Sequence, residues 1–292
     1  MSDGPLERGA LYVVATPIGN LGDLSPRALA VLRGVDWIAA EDTRHSGVLM
    51  TRFGIEVPLI SAHAHNERGR AEDLVTRLEA GTTGALIVDA GSPGISDPGA
   101  RIVRRVAEAG RPVRVVPGPS AVIAALSLSG FAADAFTFAG FLPPKDAARD
   151  TRLAGLLARG ETVVMYEAPH RVRATLEALA RLAPGRPLAA CRELTKLHEE
   201  TLRGDTAAVL AQLTAERERG EWVLVLAGTG GAAPGDAADT AAGTEAGGVT
   251  EDDPRARFIA AQIESGASPD EARRRAEFVL GPERRRRGKE RA

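Results

Sequence analysis

The chain predicts an α/β fold built as two α/β domains, and three observations predict it. Up to residue 228, apolar segments of four to eight residues alternate with amphipathic segments of helical period, the pattern of successive strand–helix units. Glycine- and proline-rich loops follow several of the apolar segments, as they do where strands open toward a ligand. With 292 residues, 44% of them hydrophobic, the chain can fill two cores.

The first strand is expected over 11–15 (LYVVA). Ser25 and Pro26 then supply an N-cap and a first-turn proline for a helix ending near Gly34. Strands follow over 35–40 (VDWIAA) and 58–61 (PLIS), then a helix over 66–80 and a strand over 85–90 (ALIVDA). Ser96-Asp97-Pro98 reads as a helix start, with Ile102, Val103 and Val106 on the apolar face behind it. A strand over 113–117 (VRVVP) runs into Pro117-Gly118-Pro119, a natural boundary. Beyond it come a helix over 120–129, a strand over 136–142 (FTFAGFL), a helix over 148–159 and a strand over 162–168 (TVVMYEA). The series closes with a helix over 170–182 with Pro169 in its first turn, a strand over 187–194 (PLAACREL), a helix over 206–219 and a strand over 222–228 (WVLVLAG). The expected domains are 1–118 and 119–228.

Residues 229–253 hold six acidic residues, no basic ones and no aromatics. Such a stretch buries too little apolar surface to offset its ordering entropy, so a disordered acidic linker is expected. Residues 254–292 are expected to form a small basic helical tail with helices over 254–265 and 268–279. Ser268-Pro269-Asp270-Glu271 has capping-box spacing. Within 271–292, nine Arg or Lys face four Glu, a balance that suits phosphate or simply a solvated terminus.

Cys191 is the single cysteine, so no internal disulfide can form, which suits a reducing cytoplasm. No basic-then-apolar leader is visible, and every apolar run is too short to span a bilayer. A cytoplasmic protein without a membrane partner is expected. His63 and His65 in SAHAHN lack a third ligand at metal spacing, so no metal is expected.

Three loops share one design: ATPIGN (15–20), DAGSPGISDPG (89–99) and VPGPS (116–120). Glycine lets main-chain groups approach a ligand, while proline holds the loop in one shape. The first lacks the lysine of a P-loop. Gly19, Gly22 and Glu41 sketch a dinucleotide fingerprint, but its third glycine is missing and Pro17 occupies the tight turn.

Six segments, TPIGNLGDLSPRAL, AAEDTRHSG, VDAGSPGISDPG, VVPGPSA, GFLP and CRELTKLHEE, follow one another over residues 16–200. In order and spacing they closely resemble the ribosomal RNA small subunit methyltransferase I family of the tetrapyrrole-methylase superfamily. The resemblance implies S-adenosyl-L-methionine folded in a cleft between the two domains, a homodimer, and 2′-O-methylation of a cytidine in the decoding region of 16S rRNA. The small ribosomal subunit is thus the implied partner. Cofactor contacts are implied for Pro17, Gly19, Asn20, Asp89, Ala90, Gly91, Ser92, Pro93, Pro117, Gly118, Pro119, Ser120, Ala121, Gly140, Tyr166 and Glu167. Ser92 stands where many relatives carry threonine, and the hydroxyl is kept.

Transfer of a methyl group to a ribose hydroxyl requires alignment and removal of a proton, and a placed base typically contributes about 10²–10⁴-fold. Two charged clusters at strand ends offer one: Glu41-Asp42-Thr43-Arg44 and Arg192-Glu193-Leu194-Thr195-Lys196. Lys196 is the expected base, provided burial and a neighbouring cation lower its pKa, with Glu193 orienting it and Arg192 beside them. The alternative is that these groups pair with one another. Arg44 and Arg192 are equally suited to clamp RNA phosphates. RNA contacts are expected from Arg44, His63, His65, Lys145 and Arg171, whereas His170 and His198 have open roles. Two other functions stay in view, a tetrapyrrole methylase sharing the same cleft and a non-catalytic RNA-binding assembly factor using the basic tail.

Overall fold

The computed structural model describes residues 5–229, together with 268 and 269. The expected acidic linker and helical tail, apart from Thr229, Ser268 and Pro269, lie outside the described residues.

The first half forms a parallel sheet of β1 (Leu11–Val14), β2 (Trp37–Ala40), β3 (Leu59–Ser61), β4 (Gly84–Ile87) and β5 (Val113–Val116), in the order β3-β2-β4-β1-β5. Side chains alternate across a strand, so each central strand feeds two cores. Tyr12, Val14, Ile38, Ala40, Ala85 and Ile87 pack with α1 (Pro26–Gly34) and α2 (Thr43–Arg52). Leu11, Trp37, Ala39 and Leu86 pack with α3 (Glu67–Glu79) and α4 (Ala100–Glu108) on the other face. Full burial of each such leucine, valine or isoleucine contributes about 1.5–3 kcal/mol relative to exposure.

The second half forms a mixed sheet of β6 (Phe136–Phe141), β7 (Thr162–Glu167), β8 (Pro187–Arg192), β9 (Glu200–Asp205) and β10 (Trp222–Leu226), in the order β6-β7-β10-β8-β9. Only β6 and β7 run parallel; the other neighbours are antiparallel. One face is covered by α6 (Asp146–Leu157), α7 (Val172–Leu182) and α8 (Thr206–Ala211), through Leu153, Leu156, Leu176, Leu179 and Val209. The other is covered by α5 (Ala121–Ser129), whose Val122, Ala125 and Leu126 meet Val164, Ala189, Cys191, Val223 and Val225.

Ser25 caps α1 as expected, its hydroxyl accepting from the Ala28 N–H at 3.0 Å. Five details differ from the sequence expectation. α2 was not anticipated; Asp42 caps it by accepting from the Arg44 N–H at 2.8 Å. β9 was also missed, because it is an edge strand with Leu202 as its one buried residue. α8 stops at Ala211 rather than 219, and α7 begins at Val172, so Pro169 precedes it. Finally, Ser96 does not cap α4. The cap residue is Gly99 at φ +136°, and the N–H groups of Gly99 and Arg101 donate to Glu67 Oε1 from α3, at 2.8 and 3.1 Å.

Candidate functional site

Because β1, β4 and β5 are parallel neighbours, their C-terminal loops emerge at one edge, where ligands bind in open α/β sheets. There the three glycine loops are stitched together. The Ala15 N–H donates to Val116 O at 3.1 Å, and Thr16 and Gly91 exchange main-chain hydrogen bonds at 2.9 and 3.1 Å. The buried Thr16 hydroxyl adds a bond to Val88 O at 3.0 Å. Gly91 sits at the meeting point with φ +79°; a Cβ there would lie 3.6 Å from Ile18 Cγ2 and 3.9 Å from Pro119 O. A side chain would be strained at that φ, so glycine is required.

Above this edge lies a cavity of about 430 Å³ whose second wall comes from the mixed sheet. Tyr166 and Trp222 belong to that wall, with Phe141 edge-on to Tyr166 at 5.5 Å between ring centroids. Of the residues expected to bind cofactor, Asp89, Ala90, Gly91, Ser92, Ser120, Ala121, Tyr166 and Glu167 line the cavity. Pro17, Gly19, Asn20, Pro93, Pro117, Gly118, Pro119 and Gly140 are not among its lining residues. Asn20 Oδ1 accepts from the Gly22 N–H at 2.9 Å, a Cβ on Gly118 would come within 3.0 Å of Ala15 Cβ, and one on Gly140 within 3.6 Å of Ser96 Oγ. The Glu167 carboxylate is buried and engaged: it accepts from the Ala168 N–H at 2.9 Å and the Thr175 hydroxyl at 2.5 Å, and pairs with Arg171 at 3.2 Å.

Glu41 and Asp97 also line the cavity, beside Asp89. Sequence reasoning placed the first in a cluster and the second in a helix start. Among the described residues none of the three carboxylates forms an ion pair, although fifteen ion pairs occupy acids elsewhere. Burial, then the charges of Asp97 and Asp89, push the Glu41 carboxyl above its ordinary value. Burial and Asp89 do the same to Asp97. Burial, with Asp97 nearby, pushes the Tyr166 hydroxyl up to about 12. The cleft therefore offers main-chain donors and acceptors and an uncompensated negative charge, which favours a cationic ligand.

Lys196 is not the free base that the sequence suggested. Its Nζ donates to Glu193 Oε1 at 2.9 Å and to Glu221 Oε2 at 2.8 Å. Burial alone would lower its pKa, but the hydrogen bonds to the two carboxylates outweigh it and raise the pKa. Arg192 donates through Nε to Arg219 O at 2.8 Å. The pairing alternative is the one the structure holds. The segment is nevertheless close to the cleft: Leu194 and Glu221 line it, and a Cβ on Gly19 would lie 2.5 Å from Lys196 Cγ. Glu193 and Thr195 stand at φ +51° and +65°, conformations costing about 1–3 kcal/mol each that concentrate at functional sites.

Of the residues expected to meet RNA, Arg44 is exposed and forked onto Asp42, with bonds of 3.2 and 3.0 Å. His63 and His65 lie just beyond β3, rings edge-on at 5.9 Å. Lys145 is exposed at the start of α6. Arg171 is a correction: its guanidinium is spent on Glu167 and on the carbonyls of Leu142 and Pro143, at 2.5 and 3.3 Å for the latter two. Among the described residues, no group of three His, Cys, Asp or Glu is arranged to hold a metal, and no helix is long and apolar enough to cross a membrane.

Comparison with known proteins gives consistent likenesses. Residues 10–210 match the family profile Tetrapyrrole (Corrin/Porphyrin) Methylases. The chain is 50% identical over 221 residues to a ribosomal RNA small subunit methyltransferase I of Synechocystis, covering 75% of this chain and 79% of that one. It is 48% identical over 227 residues to the protein of that name from Pseudomonas aeruginosa, covering 76% and 80%. Among solved structures it resembles the methyltransferase CobJ (TM-score 0.57, 19% identity, 75% of this chain and 94% of that chain). It also resembles diphthine synthase (0.57, 12%, 75% and 89%), a likeness of fold alone.

Proposed function

Because this chain belongs to the tetrapyrrole methylase family and, within it, to the ribosomal RNA small subunit methyltransferase I proteins, we propose that it methylates small-subunit ribosomal RNA with S-adenosyl-L-methionine. In its finer form the reading is 2′-O-methylation of a cytidine in the decoding region of 16S rRNA, in the cytoplasm, by a homodimer. The observation that carries it is the convergence of three glycine loops on a cleft lined by unpaired carboxylates. The residues fit the donor: the cavity volume lies within the roughly 300–1,000 Å³ of small-molecule sites, and the negative lining suits a sulfonium. When bound, that sulfonium supplies an electrophilic methyl group.

The chain's part is to hold and orient. The main chain at 89–92 and 120–121 cradles the donor, and Tyr166 closes the opposite wall. Domains 1–118 and 119–228 form the two sides of the cleft, a division supported by the packing of α5 on the second sheet. Arg44, His65 and Lys145 offer exposed polar groups to RNA. A second copy is the fitting cover for exposed Val115, Ile123 and Leu128.

Equilibrium dialysis with S-adenosyl-L-methionine, followed by primer extension on rRNA from a deletion strain complemented with this chain, tests the reading. Binding and a restored stop at one cytidine are expected; no binding at millimolar donor overturns it. Gly118→Asp forces a carboxylate against Ala15, and loss of both binding and the stop is expected. A variant that loses donor binding yet still supports the stop would favour the assembly-factor role.

A further inference from the structure

We propose that the carboxylate of Asp97 is the base that accepts the proton of the hydroxyl undergoing methylation. The inference rests on the methyltransferase reading of the cleft and assigns a step that reading leaves open.

Five carboxylates line the cleft; Glu167 and Glu221 are taken up by Arg171 and Lys196, and the other three are not equivalent. Asp89 Oδ1 accepts from the Asp42 N–H at 3.3 Å, and the Glu41 carboxylate is hydrogen-bonded by the Asp89 backbone. Asp97 has neither a hydrogen-bond donor nor an ion-pair partner among the described residues, so its lone pairs are open to whatever enters. A half-buried carboxylate left in that state is costly to the fold.

The backbone explains how it gets there. Ser96-Asp97-Pro98 would read as a helix cap, yet α4 is capped from α3 by Glu67, and Ser96 is turned to φ +67°. The loop is thereby carried across to the second sheet. Ser96 Oγ stands 3.6 Å from where a Cβ of Gly140 would be, in ordinary contact range, and the φ of +64° at Gly140 is what calls for glycine there. Asp97 thus reaches the point where both walls of the cleft meet. The groups facing it are Asp89 and Glu41 from the ends of β4 and β2 and the Tyr166 hydroxyl from β7; among the described residues, no Lys, Arg or His lines the cavity. Burial and the Asp89 charge raise its proton affinity, the direction in which a carboxylate gains as a base near neutral pH. Lys196, by contrast, is a cation held by two carboxylates.

In the step, the hydroxyl oxygen forms a bond to the methyl carbon and loses its proton to Asp97. The carbon–sulfur electron pair stays on sulfur, which becomes a neutral thioether, and the Asp97 carboxylic acid returns the proton to water.

The test uses full-length protein, tritium-labelled S-adenosyl-L-methionine and small ribosomal subunits from a deletion strain. Asp97→Asn and Asp97→Ser are expected to bind the donor within about threefold of wild type by calorimetry. Their single-turnover methyl transfer should fall about 10²–10⁴-fold and lose the acidic limb of its pH profile, with partial recovery in Asp97→Glu. A carbon-13 aspartate titration should show one carboxyl, absent from Asp97→Asn, titrating above the ordinary aspartate range. Transfer in Asp97→Asn within threefold of wild type, with the acidic limb kept, overturns the assignment alone. So does loss of donor binding in both the Asn and Ser variants, since the carboxylate would then hold the donor. A wild-type protein that binds the donor yet transfers nothing to the subunits overturns the methyltransferase reading and the base assignment with it.

Discussion

Glu41, Asp89 and Asp97 share one cleft with no cation among its described lining residues, and this sets how the site responds to pH. A carboxyl whose folded pKa stands above its unfolded value adds stability that is fully present below the unfolded pKa and is lost as pH rises through the folded one. Glu41 and Asp97 therefore favour the ligand-free fold in acid, and a bound cation reverses the preference by rewarding ionisation. The affinity ratio of S-adenosylmethionine over the uncharged thioether S-adenosylhomocysteine should fall roughly tenfold, about 1.4 kcal/mol, between pH 7.5 and pH 4.5. Calorimetry at the two pH values checks it, and a ratio independent of pH would remove the electrostatic argument. At this scale the sequence was partly legible. Asp89, Gly91 and Ser120 announced themselves because glycine and proline punctuate a loop by local chemistry. Asp97 did not, because the group that caps α4 is Glu67, 32 positions away from Gly99, and local pattern carries no signal from it.

Among the elements, α7 is tied to its neighbours by a buried charge. Glu167 ends β7, with its side chain inaccessible, and Arg171 both neutralises it and holds the loop after β6 through Leu142 and Pro143. Removing one member of a buried pair strands the other, at a cost of about 3–5 kcal/mol. Arg171→Ala should lose that much in urea unfolding. Arg44→Ala, whose fork onto Asp42 is exposed to solvent, should keep the wild-type midpoint. Equal midpoints for the two variants would mean that Arg171 belongs to the surface after all. Strands such as β4 and β10 were legible because apolar runs bounded by turn residues leave little choice. α2 and β9 were hidden by Gly47 and by ETLRGD, whose single buried leucine gives no period to read.

The molecule as a whole joins two sheets of different character around one cleft, within a single compact unit that includes residues 5–229. Alternation of strands and helices predicted both halves, but not that three of the four pairings in the second sheet are antiparallel. That outcome depends on how distant strands meet, which periodicity does not encode. The chain has two tryptophans, and they fall one to each sheet, Trp37 in β2 and Trp222 in β10. Single-tryptophan variants therefore report the halves separately. Since a ligand in the cleft touches both, donor at 100 times its dissociation constant should add about 2.7 kcal/mol to each reporter's transition. Two transitions, of which one ignores the donor, would mean that the cleft belongs to one half alone.

The segment between Gly91 and Gly99 is fastened at either end, to Thr16 by paired main-chain hydrogen bonds and to Glu67 by two amides. A span anchored twice does not swing like a flap. Exchange of a small molecule then falls to the facing side, where the aromatic rim at Phe141 stands more than half exposed, at 56%.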